Sequence, residues 1–166
     1  MRLIGAFAAC LVLASLAVAS SSGRIISAHG VRLVVSPGWQ WIEATGDGFV
    51  TDPNTLLVVG TAGVRPRDSR CQIAAYGIPA AGAVVVVVGW KSVATAGGAP
   101  KPGRAPLRKL IEVHRPSFEC FSGRGAVAQV LLRGKLYQVN VMVGDRASKR
   151  RVAEALAAAR SFELAR

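Results

Sequence analysis

AVAQVLLRGKLYQVNVMVGDRASKRRVAEALAAAR, residues 126–160, decides the fold. Two apolar, β-branched runs, 126–132 and 136–143, flank Arg133-Gly134-Lys135. Strand patterns joined by a tight glycine-containing turn predict a β-hairpin. Gly144 ends the second run, and Asp145 is the expected N-cap of a helix reaching about Arg160. Val152, Ala155, Leu156 and Ala159 then fall at i, i+3, i+4 and i+7 and form one apolar stripe. A hairpin that feeds a one-sided helix lays that helix on a sheet face. The expected fold is therefore α+β, a mainly antiparallel sheet with a C-terminal amphipathic helix packed on one face. With a single helix so marked, a doubly wound parallel fold is not expected.

Working outward, residues 83–90 are the most apolar stretch after the N-terminus and contain five consecutive valines. A run without alternation predicts a central strand covered on both faces. Shorter strand patterns occupy 31–35, 39–43, 56–60, 71–76 and 118–121. Trp39 and Trp41 stand two apart, so a strand places them on one face. Pro and Gly at 96–106 preclude a helix interior or a central strand and predict a long exposed loop. The polar residues 20–30 are expected to be a flexible lead-in, and 31–166 a single domain.

The N-terminus carries Arg2, an uncharged run from Leu3 to Ala19, and the small-x-small triplet Ala17-Val18-Ala19. These are the parts of a secretory signal peptide, residues 1–19, cleaved after Ala19. The expected address is secreted or extracytoplasmic. An uncleaved anchor is the alternative, at the lower limit of length for a span. Lipidation at Cys10 would need the apolar core to end at residue 9, yet it continues to Ala19. Export leaves Cys71 and Cys120, an even pair expected to form one disulfide rather than two buried thiols. Closing a loop of about 50 residues would contribute roughly 4 kcal/mol on a chain-entropy account.

Among the 166 residues, 51% are hydrophobic and 18% charged, enough for a packed core and unlike a disordered chain. The formal net charge is +12, mostly from arginine. Outside the cell such a surface attracts anionic envelope polymers, membrane headgroups or extracellular nucleic acid. Codon bias of a GC-rich genome also accounts for the arginines. Arg146, Lys149, Arg150 and Arg151 form the tightest basic group and are the candidate anion-binding residues. They stand at the end of the predicted helix whose dipole favours anions. Arg65/Arg67/Arg70 and Lys101/Arg104/Arg108/Lys109 are further clusters. Each alone reads as a solvated face.

No catalytic set emerges. Gly123-Arg124-Gly125-Ala126-Val127-Ala128 matches G-x-G-x-x-A, but the residues after it are β-branched and enter the hairpin instead of opening a helix. No nucleotide cofactor is expected. His29 and His114 are the only histidines, and no Cys or His spacing fits a zinc site. There is no G-x-S-x-G elbow and no suggestive carboxylate pair. The aromatics Trp39, Trp41, Trp90, Tyr76 and Tyr137 suit a core more readily than a ligand face.

Pro37-Gly38-Trp39 after the first strand, the pair Cys71 and Cys120, and the ending 137–144 followed by a helix and Ser161-Phe162 carry a resemblance. In these the chain resembles the small exported proteins of high-GC actinobacteria, a group without an assigned function, and PsbP-like domains. The latter resemblance implies an α-β-α sandwich around an antiparallel sheet and a non-enzymatic accessory or binding role. No metal or partner residues are carried over from it. The expected function is thus a secreted or envelope-associated, non-enzymatic binding protein. The alternatives are a hydrolase of an envelope polymer with His114 as base, and an inhibitor presenting the loop 96–106 to a protease.

Overall fold

The computed structural model describes residues 23–44, 52–67, 71, 73, 75–91, 103–105, 107, 111–113, 121 and 123–166. The strands are β1 (Arg24–Ala28), β2 (Val31–Val35), β3 (Trp39–Trp41), β4 (Asn54–Thr61), β5 (Arg65–Pro66), β6 (Tyr76–Gly77), β7 (Ala83–Gly89), β8 (Ile111–Val113), β9 (Arg124–Leu132), β10 (Lys135–Val143) and β11 (Glu163–Leu164). A single described helix, α1, spans Lys149–Arg160. Six strands form the main antiparallel sheet in the order β3-β4-β7-β10-β9-β8. A smaller sheet, β1-β2-β11, and the ribbon β5-β6 flank it. The fold is α+β, as the hairpin-then-helix pattern predicts.

The valine run is the centre of the molecule. β7 lies between β4 and β10, and Val84 through Val88 are each 0% exposed. Their alternation splits them between two cores. Val85 and Val87 join Leu57, Val59, Val139 and Val141 beneath α1 and β2. Val84, Val86 and Val88 face the other way, onto Ile42, Val58, Val64, Tyr76 and Met142. A strand apolar on both faces needs two covers, which is why this run shows no polar position. α1 supplies one cover through Ala155, Ala158 and Ala159, small side chains that let it approach the sheet closely. Phe162, just past the helix, is the largest fully buried side chain among the described residues and packs at 5.6 Å, ring centre to ring centre, from Tyr137.

The hairpin forms at the expected place with a shorter turn. Arg133 (φ 50°) and Gly134 (φ 75°) are both left-handed, and Lys135 already pairs with Leu132. A two-residue turn of this type matches the right-handed twist of its strands. Three further expectations need correction. The segment 20–30 is not merely a flexible lead-in: its residues 24–28 are β1, paired along their whole length with β2 across a His29-Gly30 turn. Of the segment 71–76, the described residues Cys71, Ile73 and Ala75 lie outside any strand, and pairing is seen at Tyr76, against Pro66.

The third correction is the helix cap. Ser148 is the N-cap, and its hydroxyl accepts from the Arg151 N–H at 3.1 Å. Asp145 and Arg146 belong to a preceding turn. That turn is held by Gly144 N–H to Gly82 O, Arg146 N–H to Ala80 O and Ala147 N–H to Gly144 O. These bonds hold residues 144–147 in a turn ahead of Ser148.

Trp39 and Trp41 differ although both lie in β3. Trp39 is 2% exposed, and its indole N–H reaches Glu154 at 3.5 Å. Trp41, further along this edge strand, is 55% exposed. The segment 118–120 and most of 96–106 lie outside the described residues.

Candidate anion-binding groove

β11 is only two residues long, yet it closes the small sheet and sets Glu163 directly opposite Arg32. The Arg32 guanidinium grips the Glu163 carboxylate through two nitrogens, at 3.0 and 2.5 Å. Beside this pair opens a groove of about 710 Å³. Arg104, Arg133 and Arg166 reach it from three further segments, and Leu131, Leu132 and Leu164 supply apolar lining.

Each arginine is positioned by backbone. Arg32 is fixed in the β2 ladder. Arg133 projects from the left-handed hairpin turn. Arg104 follows Gly103, whose N–H donates to Leu131 O at 3.2 Å and ties that segment to the end of β9. Arg166 follows Ala165, whose N–H donates to Gly30 O at 2.9 Å. Among the described residues four arginines and one acidic residue thus line the groove, and Arg32 engages that carboxylate. Among the described residues no acidic side chain forms an ion pair with Arg104, Arg133 or Arg166. Planar forks of this kind match the oxygens of carboxylate and phosphate.

The basic group read from sequence lies elsewhere. Arg150 and Arg151 both pair with Glu154, at 2.9 and 2.6 Å, and with Pro37 and Ser148 line a separate polar depression. Glu154 therefore supplies, within the helix, the negative charge that this basic start wants. Arg146 precedes the helix, so it shares no helical face with Lys149 or Arg150. Arg124 stands nearby, its guanidinium on Ala147 O at 3.5 Å. The groove is past the opposite end of α1, a helix of about 18 Å at 1.5 Å per residue, and the two depressions share no residue.

Of the described residues in the other clusters, Arg65 and Arg67 are exposed on and beside the β5–β6 ribbon, and Arg104 reaches the groove. Arg70, Lys101, Arg108 and Lys109 lie outside the described residues, as do His114 and Cys120. The expectations that rest on His114 or on a Cys71–Cys120 bridge therefore concern residues outside the described ones. Cys71 is buried and engaged rather than free.

His29 sits exposed in the β1–β2 turn. No group of three His, Cys, Asp or Glu side chains gathers among the described residues. The stretch 124–128 of the G-x-G-x-x-A match runs along β9 and opens no helix. Among the described residues no helix is long and apolar enough to cross a membrane. Tyr137 lies in β10 opposite Val130 and is buried. Burial pushes its phenol above the usual tyrosine range, against the opposing effect of the Arg133 charge.

Sequence reading misses the groove because its arginines come from four distant segments. Arg104 belongs to a basic cluster; Arg32 and Arg166 are isolated basic residues, and Arg133 has just Lys135 beside it in the hairpin turn. The one signal available is the pattern Arg-Gly in a hairpin turn, a charged side chain placed at a loop tip where most turns carry Asn or Asp. No known protein family matches the chain, and no curated protein matches it.

Proposed function

We propose that this protein is an exported, non-enzymatic binding protein of the cell envelope that holds an anionic ligand in the four-arginine groove. The observation that carries the reading is the imbalance of charged side chains lining it among the described residues: Arg32, Arg104, Arg133 and Arg166, with Glu163 as the acidic one. The signal sequence ending at Ala19 and a Cys71–Cys120 disulfide belong to the same proposal. Three arginines lining one groove without an ion-pair partner among the described acidic side chains put like charges together, and a ligand with several anionic oxygens would offset that charge while filling their forks.

Polyphosphate titration by calorimetry, at low and moderate salt, tests it. Binding is expected and weakens as salt rises. Arg104→Gln with Arg133→Asn should weaken it about tenfold per arginine, the worth of one charge-assisted contact. The charge-matched pair Arg65→Gln with Arg67→Gln should leave it within about twofold, since neither residue reaches the groove. An affinity that follows total charge and ignores which pair is removed would show the groove to be incidental.

A further inference from the structure

The small sheet has two faces with different occupations. Val31, Leu33 and Val35 point inward and are at most 1% exposed. On the outer face Ile25 stands opposite Val34, and these two are 56% and 41% exposed. Among the described residues only Trp41 is another exposed large hydrophobic. The alternation of strands places Val34 on the same face as Arg32, two residues and about 7 Å along β2. Across the sheet, Arg32 meets Glu163 at the edge of the groove. An exposed aliphatic pair and the arginine groove therefore sit side by side on one surface.

We propose that this surface docks on an anionic lipid bilayer. Ile25 and Val34 enter the boundary between headgroups and acyl chains, while the groove arginines take the anionic headgroups. The proposal rests on the groove being an anion site and names the source of the anion. A soluble polyanion satisfies the arginines but leaves the aliphatic pair in water; a bilayer serves both. A protein partner would need a larger apolar centre, usually with aromatic anchors, and this sheet face presents two aliphatics. Neither feature alone holds a protein to a membrane, but a modest apolar contact together with a basic patch does.

Co-sedimentation of the exported protein with phosphatidylcholine vesicles, with and without phosphatidylglycerol, tests the docking. Wild type should partition onto the anionic vesicles only. Ile25→Thr with Val34→Thr keeps β-branched residues at two exposed strand positions, so the fold should persist, checked by circular dichroism. This variant should partition at least about tenfold less while binding polyphosphate as wild type does. Arg104→Gln with Arg133→Asn should lose both. The N-terminus is common to all variants, so its contribution cancels in the comparison. If the threonine variant partitions like wild type, or if it only abolishes self-association, the bilayer proposal falls. Polyphosphate binding without vesicle binding overturns the bilayer alone, whereas loss of specific polyphosphate binding overturns the groove reading beneath it.

Discussion

Arg32 and Glu163, 131 residues apart in the chain, face each other across β2 and β11 and share a forked ion pair at the edge of the arginine groove. Both side chains are about one-third exposed, 33% and 34%. At that exposure the pair contributes little to stability, about 0–1 kcal/mol. Its larger effect is on binding. The Glu163 carboxylate occupies Arg32 and competes, within the molecule, with any incoming anion. Glu163→Gln should release the guanidinium and tighten polyphosphate binding several-fold, with a stability loss within about 1 kcal/mol. An unchanged or weaker affinity in the calorimetric titration would remove Glu163 from the site's electrostatics.

The hairpin turn separates charge from conformation. Gly134 has φ 75° with nothing within 4 Å of where a Cβ would stand, so a substitution there is limited by backbone strain and not by space. Gly134→Ala should cost about 1–2 kcal/mol, the penalty for a left-handed L-residue. Arg133→Asn should be neutral or slightly stabilising, since Asn tolerates that region best. Urea unfolding of the two variants gives both numbers, and a strongly destabilised Arg133→Asn would mean that this side chain has a structural duty beyond the groove.

Much of the frame is legible in the sequence because it depends on local patterns. The five valines state that β7 is buried on both faces, and the 126–143 alternation with Arg133-Gly134 fixes β9 and β10. What escapes depends on pairing between distant segments. β1 is short, and Ile25-Ile26 shows no alternation; only its partner β2 makes it a strand. Asp145 is as good a cap residue as Ser148. The choice falls to Gly82 and Ala80, whose carbonyls hold the turn before the helix. The groove is the extreme case, since no two of its arginines are neighbours in the chain.

Tyr137 gives a pH dependence. Its phenol is raised above the ordinary tyrosine value of 10.0 in the folded protein, by burial first, with the Arg133 charge acting against it. Between the unfolded and folded values the native state holds a proton that the unfolded chain has released. The contribution is therefore fully present below about pH 10 and is lost as pH rises through the folded value. Stability should decline in that alkaline window, and Tyr137→Phe should flatten that part of the decline. Spectroscopic titration should show Tyr137 ionising late; ionisation at or below the ordinary value would contradict its burial.

The start of α1 offers the sharpest test of the local structure. The Ser148 hydroxyl accepts from Arg151 N–H, satisfying one of the orphan donors of the first turn. Lys149, Arg150 and Arg151 add positive charge at the end where the dipole is already positive, and no acid stands in that turn. Glu154, one turn on, offsets part of this through Arg150 and Arg151. The cap therefore acts at a helix end that has little else in its favour. Ser148→Ala should cost about 1 kcal/mol, within the usual range of about 0.5–2 kcal/mol for a lost cap. Asp145→Ala should cost less than about 0.5 kcal/mol, because its side chain is exposed ahead of the helix. Thermal or urea unfolding of the two variants orders them directly. The reverse order would move the helix start back to Asp145 and bring Arg146 onto the face of Arg150, restoring the four-residue basic patch that the sequence suggests.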